Sequence, residues 1–272
     1  MKLIGILFVF TLLICSSCSS PKPIEQTVVF ETNYGNITLK LYPETVKHRQ
    51  NFLKLVNSGF YNGLLFHRVI AGFMIQGGDP TSKNAASGVM LGSGGTGYNI
   101  PSEILFPKYY HKRGALAAAR EGDQVNPLRA SSGCQFYIVQ GKTFTDLELD
   151  SIEQVNILKF QDKILKKILK TKKGEIIEFH KYHQNSKLKL LQDSILAEVQ
   201  AQMKKHLPFQ FTAQQRNDYK TIGGAPHLDG EYTVFGQVVN GMDIVDKISN
   251  AATDENDRPL RNIRILKAYI KK

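Results

Sequence analysis

Residues 66–80, FHRVIAGFMIQGGDP, constrain the chain more than any other stretch. The segment is mostly apolar and short. His67 to Ile70 has the length of a strand, Met74 to Gln76 can resume it after Gly72, and Gly77-Gly78-Asp79-Pro80 closes it with a turn signal. Two polar side chains, Arg68 and Gln76, interrupt the apolar run. A desolvated guanidinium is costly, so Arg68 either sits at an exposed edge or pairs with a carboxylate. The functional alternative is a cation aimed into an apolar groove lined by Phe73 and Met74. Such a groove suits a neutral ligand carrying one carbonyl-like or amide group.

The rest of the chain reads as short strands. Val28–Thr32 and Gly35–Tyr42 flank a turn at Tyr34-Gly35-Asn36, and Gly114–Arg120, Gln135–Val139, Tyr232–Val239 and Ile263–Ile270 follow. Pro43 starts a helix with Val46, Leu53 and Val56 on one face, ended by Asn57-Ser58-Gly59, and Gly241–Ser249 is a second, shorter helix. Many short strands, two flanking helices and no βαβ rhythm predict a mainly β fold, a closed antiparallel barrel. The alanines at 117, 118 and 119 suit either tight packing or close approach of a peptide backbone. The loop from Pro80 to Tyr98 contains Gly92-Ser-Gly-Gly-Thr-Gly97, but it lacks the Lys-Ser/Thr of a phosphate cradle and its strand–helix setting.

Between residues 146 and 221 the pattern changes period. Ile152, Val155, Leu158, Leu165 and Ile168 recur at helical spacing, and Leu188, Leu191, Ile195, Val199 and Met203 repeat it. Thr171-Lys-Lys-Gly174 is expected to break the first run, giving an inserted α-helical hairpin. It reads either as a solvated decoration or as a lid or client-binding arm. His180, His183 and His206 lie in it without clustered carboxylates, so no metal site is expected. The formal net charge is +11, but the lysines are spread along the chain and no nucleic-acid motif accompanies them, so no nucleic-acid partner is expected.

Lys2, the apolar run Leu3–Ile14 and the small residues after it read as an export signal too short to span a bilayer comfortably. Cys18 after Ser16-Ser17 looks like a bacterial lipoprotein processing site, with an ordinary secretory signal as the alternative. The expectation is a signal over 1–18, a tether over 19–27, and a lipid anchor on Cys18 holding the protein to a bacterial membrane at the cell envelope. That leaves Cys134 as the single cysteine of the folded part, a small buried hydrophobe.

FHRVIAGFMIQGGDP closely resembles the cyclophilin family of peptidyl-prolyl isomerases. GYNIPSE (97–103), GALAAAR (114–120), SSGCQFYI (131–138) and HLDGEYTVFGQVVNGMDIVDKIS (227–249) match further motifs in order. The resemblance covers residues 28–145 and 222–270 and implies an eight-stranded antiparallel barrel capped by two helices, with the helical hairpin inserted between them. By resemblance, Arg68 is the catalytic donor and Gln76 holds a substrate carbonyl. Phe73, Met74 and Leu228 form the proline pocket, with Tyr137 where the family usually has Phe. Ala119, Arg120 and Gln135 line the groove beside it. His227 and Tyr232 stand where other members carry Trp and His. The Tyr137 hydroxyl would fall in or beside an apolar pocket and could trim activity. His67 reads as structural.

The chemistry needs few parts. Rotation about a peptide bond meets a barrier of about 18–20 kcal/mol, while the two isomers before proline are nearly balanced. Lowering that barrier takes no nucleophile, metal or cofactor. It takes a dry groove and a fixed cation that favours the twisted amide with its basic nitrogen. Two functions are open. One is an isomerase acting on proline-containing peptides and on exported proteins as they fold; the other is a chaperone-like protein that holds such clients with little catalysis.

Overall fold

The computed structural model of the chain describes residues 26–205 and 209–271. The signal segment, Cys18 and His206 lie outside them. Ten strands occur: β1 (Thr27–Thr32), β2 (Gly35–Leu41), β3 (Phe66–Ile70), β4 (Met74–Gly77), β5 (Asn99–Ile100), β6 (Ala115–Ala118), β7 (Ser131–Ser132), β8 (Phe136–Val139), β9 (Val234–Asn240) and β10 (Ile265–Lys271). Eight form one antiparallel sheet in the order β10-β1-β2-β9-β6-β8-β4-β3, and β5 pairs with β7 apart from it. The sheet curls until its two ends approach. They meet at a single bridge, Leu65 to Arg264, rather than along a ladder. The expected closed barrel is therefore seen as a curled eight-stranded sheet stitched at one point.

One face of the sheet encloses the main core. Phe30, Phe52, Tyr61, Phe66, Phe136 and Phe235 are buried together, with Phe52 and Phe136 edge to face at 5.8 Å. Helix α1 (Val46–Asn57) supplies Phe52, Leu53, Leu55 and Val56 to this core. It starts at Val46 and not at Pro43, because its first free N–H groups are met from a distance. Glu103 accepts from the backbone of Lys47 at 3.0 Å and of His48 at 2.9 Å.

The described residues between 146 and 221 are mostly helical, but not as expected. Helix α2 runs unbroken from Asp146 to Lys181 over 36 residues, straight through Thr171–Gly174. Glycine inside a helix costs only about 1 kcal/mol. The flanking Ile168, Ile176 and Phe179 pack against Leu191, Ile195 and Val199 of α3 (Asn185–Lys205), and that burial overrides the glycine. The turn falls instead after Lys181, where His183 takes φ 49°. A further helix, α4 (Ala213–Thr221), was not legible. Its Tyr219, with Leu149 and Phe211, forms a small separate core at the foot of α2. Helix α5 (Met242–Ser249) packs Ile244, Val245 and Ile248 onto the sheet core.

Candidate active site

Strand register places the site. Arg68 pairs with Gln76, Gln76 with Tyr137, and Tyr137 with Ala117, so these four form one row across β3, β4, β8 and β6. Side chains alternate faces along a strand. Val69, Ile75, Leu116 and Ile138 therefore enter the main core, while Met74, Ala117, Tyr137 and Val139 form a second cluster on the opposite face with Phe73, Leu228 and Tyr232 against it. Strands buried on both faces explain the nearly continuous apolar runs in the sequence.

Over this second face lies a cleft of about 310 Å³. Its walls include Arg68, Phe73, Met74, Gln76, Ala119, Arg120, Tyr137, Leu228 and Tyr232, together with His67, Leu91 and Gly92. The two arginines differ sharply. The Arg120 side chain is 4 % exposed. Its guanidinium is occupied by Asp123 at 2.7 Å, the Glu231 and Glu121 carbonyls at 2.9 and 2.8 Å, and the ring of Tyr232. The Arg68 side chain is 43 % exposed, and its one polar contact among the described residues is Nε to Asp257 Oδ2 at 3.3 Å. Arg68 pairs with the Asp257 carboxylate and also lines the cleft beside Phe73 and Met74.

Two of the expected site residues are not among the walls. Gln135 does not line the cleft. Its amide donates to the carbonyls of Gly92 and Gly94 at 2.8 and 2.7 Å, which turns its oxygen toward Gln76 Nε2 at 3.0 Å. Gln76 must then present its NH₂, with one N–H left free toward the cleft. His227 is also outside the walls, its ring 5.3 Å from that of Phe73. The sequence reading passed over Leu91 and Gly92. They reach the cleft because buried Asp79 accepts from the Gly92 and Gly94 N–H groups at 2.5 and 3.3 Å. Burial alone would raise the Asp79 pKa, but bonds from Thr81, Gly92 and Gly94 outweigh it and hold the carboxyl below its ordinary range. The Gly92 and Gly94 amides of the glycine-rich loop are thus taken by this carboxylate.

Tyr137 corrects one expectation. Its hydroxyl points away from the cleft, to His111 Nε2 at 2.9 Å, so only the ring faces a ligand. His67 is nearly fully buried with neither ring nitrogen hydrogen-bonded, and burial pushes its pKa down to about 4. It is a neutral wall near pH 7, not a proton carrier. Among the described residues, no three His, Cys, Asp or Glu side chains gather at metal-binding spacing.

The family model for cyclophilin type peptidyl-prolyl cis-trans isomerase matches residues 27–155 and 167–270. The chain belongs to the cyclophilin family. The match extends into the helical segment, further than the sequence motifs suggested. Staphylococcus aureus strain COL has a relative carrying the name peptidyl-prolyl cis-trans isomerase, 30 % identical over 244 residues and 89 % of both chains. Staphylococcus saprophyticus has a similarly named one at 29 % over 244 residues, again 89 % of both. A Cryptosporidium parvum cyclophilin structure shares the fold at TM-score 0.52 and 22 % identity, covering 91 % of this chain and 98 % of that one. In this cyclophilin, then, the register that aligns Arg68, Gln76 and Tyr137 belongs to the part of the chain the family match covers.

Proposed function

We propose that this cyclophilin accelerates cis–trans rotation of X-Pro bonds, with Arg68 donating to the prolyl nitrogen as the amide twists. The observation that carries this reading is the Arg68–Gln76 cross-strand pair on the wall of an apolar cleft with Phe73, Met74 and Leu228. Proline packs on those three side chains and on the Tyr137 ring, while the free Gln76 N–H holds the preceding carbonyl. In the planar amide the nitrogen lone pair is delocalised and cannot accept. In the twisted amide it is localised, so a donor fixed there favours the transition state over the ground state. A C. parvum cyclophilin crystallised in the presence of the dipeptide Ala-Pro lends support to a proline ligand. Removing one such donor lowers kcat by about 10²–10³. Arg68→Ala is expected to fall in that range on a proline tetrapeptide, and a rate equal to wild type would remove the isomerase reading.

The arm favours a second role beside this one. Leu158, Leu169, Ile177, Leu190 and Leu196 are exposed on α2 and α3, a surface suited to unfolded clients. Replacing residues 157–205 by a short linker keeps the foot of α2 and tests this; unchanged suppression of client aggregation would count against it. We place the protein at the cell envelope, acylated on Cys18. Fatty-acid labelling that persists in Cys18→Ser would exclude that anchor. No described helix is long and apolar enough to cross a membrane.

A further inference from the structure

The floor of the cleft is joined to the helical segment by a buried series of polar groups. Tyr137 Oη lies 2.9 Å from His111 Nε2, His111 Nδ1 lies 2.9 Å from Asp229 Oδ1, and Tyr219 of α4 donates to Asp229 Oδ2 at 2.5 Å. All four side chains are buried, and Tyr219 and His111 are 0 and 1 % exposed. Asp229 also accepts the backbone N–H of His111 at 2.8 Å. The rings of His111 and Tyr137 lie nearly parallel at 10°, and Tyr232 stands edge-on to both.

With Asp229 ionised and His111 neutral, the bonds run in one direction. An ionised carboxylate only accepts, so His111 Nδ1 carries the proton given to Asp229. In the neutral ring Nε2 is then an acceptor, and the Tyr137 hydroxyl donates to it. Tyr219 completes the donors of a carboxylate that no water reaches. Without its hydroxyl, Asp229 Oδ2 loses its hydrogen-bond donor inside the protein, a costly state that the neighbouring groups must relieve by moving.

We propose that Tyr219 is a positioning residue for the proline cleft: through Asp229 it fixes the tautomer of His111 and so holds the Tyr137 ring in the cleft wall. The helical segment, on this view, helps shape the site and does more than decorate it. The inference rests on the reading that proline packs against Tyr137. Small displacements of such a wall matter, because catalysis by orientation decays steeply with misplacement.

Tyr219→Phe keeps the ring and its packing on Phe211, Phe144 and Tyr110 and removes only the hydroxyl. It is expected to lower kcat/KM on a proline tetrapeptide by about threefold or more, the size typical of coupled neighbours. Tyr110→Phe keeps its ring beside Tyr219, removes an equally short bond to α4 at Asp218 and none of the series, and is expected to leave kcat/KM unchanged. In a Tyr137→Phe background the Tyr219→Phe substitution should have no further effect. An equal fold-loss in both backgrounds, no loss in the parent, or a matching loss in Tyr110→Phe would overturn the proposal. Imidazole ¹⁵N spectra of the full chain test it without any variant. His111 is expected to be protonated at Nδ1 and bare at Nε2, and a proton at Nε2 would break the series. A parent protein no faster than solvent would remove the isomerase reading, and the tautomer would still decide whether the series exists.

Discussion

The curled sheet and the helical arm are held together by contacts of opposite kind. The sheet core gathers Phe30, Phe52, Phe136 and Phe235 from segments spread over two hundred residues of chain. The arm core is a single stripe, Ile164, Ile168, Leu191, Ile195 and Val199, contributed by two helices adjacent in sequence. A wall of the cleft therefore depends on distant pairings, whereas the arm depends on its own neighbours. Cooperative opening is expected to follow that division, with α2 and α3 able to open while the sheet stays shut. The foot of the arm, where Leu149 meets Phe211 and Tyr219, shares in both regions.

The strongest break in this contrast is Phe136→Ala. It empties the centre of the aromatic cluster and should cost about 3–5 kcal/mol, lowering the thermal midpoint and the active fraction together. Ile195→Ala should cost about 2–5 kcal/mol by the same chemistry, but locally. Hydrogen exchange is expected to speed up in α2 and α3 and not in β6 or β8, with kcat/KM on a short peptide kept; uniform acceleration would erase the distinction between regions.

His67 sharpens the sheet side of the comparison through pH. Its pKa falls from 6.5 to about 4 on folding because burial disfavours the charged ring. The unfolded chain then binds more protons than the folded one between those values, so stability is full above about 6.5 and is lost as pH falls toward 4. The loss is at most about 3 kcal/mol. Denaturant titrations at pH 7 and pH 4.5 should show a smaller difference for His67→Phe than for the parent. The smallest effect belongs to the arm. Gly174 has ordinary φ and nothing within 4 Å of a Cβ placed there. Gly174→Ala should therefore stabilise α2 by about 1 kcal/mol, read as slower exchange in its central turns.

Much of the site could be read before the fold. The resemblance to the cyclophilin family named Arg68, Phe73, Met74, Gln76, Ala119, Arg120, Tyr137, Leu228 and Tyr232, and all of them line one cleft; strand pairing aligns Arg68, Gln76 and Tyr137 there. Gln135 falls one layer behind the wall and His227 stands exposed beside Phe73, since the sequence orders residues along the chain and does not say which of them close a cleft. Leu91 and Gly92 were missed for a related reason. Their loop has no periodicity, and the Asp79 carboxylate, the Gln135 amide and the Arg258 guanidinium, which donates to the Val89 carbonyl, bring it over the cleft. Gly174 misled in the other direction, its weak local preference being overruled by burial two turns to either side.

By itself the sequence determined most of the strand and helix periods, which follow from residue spacing and side-chain chemistry and need no partner to express. Its motifs, by resemblance, determined the family and named Arg68 as the candidate cation. The tertiary structure alone decided that Arg68 keeps its terminal nitrogens free while Arg120 does not, and that the Tyr137 hydroxyl is turned away into a buried network reaching α4. Both outcomes depend on carboxylates from distant parts of the chain, Asp257 for Arg68, Glu231 beside the sequence neighbour Asp123 for Arg120, and Asp229 for the network. The partner of such a distant carboxylate is fixed by three-dimensional proximity, and no local spacing encodes it.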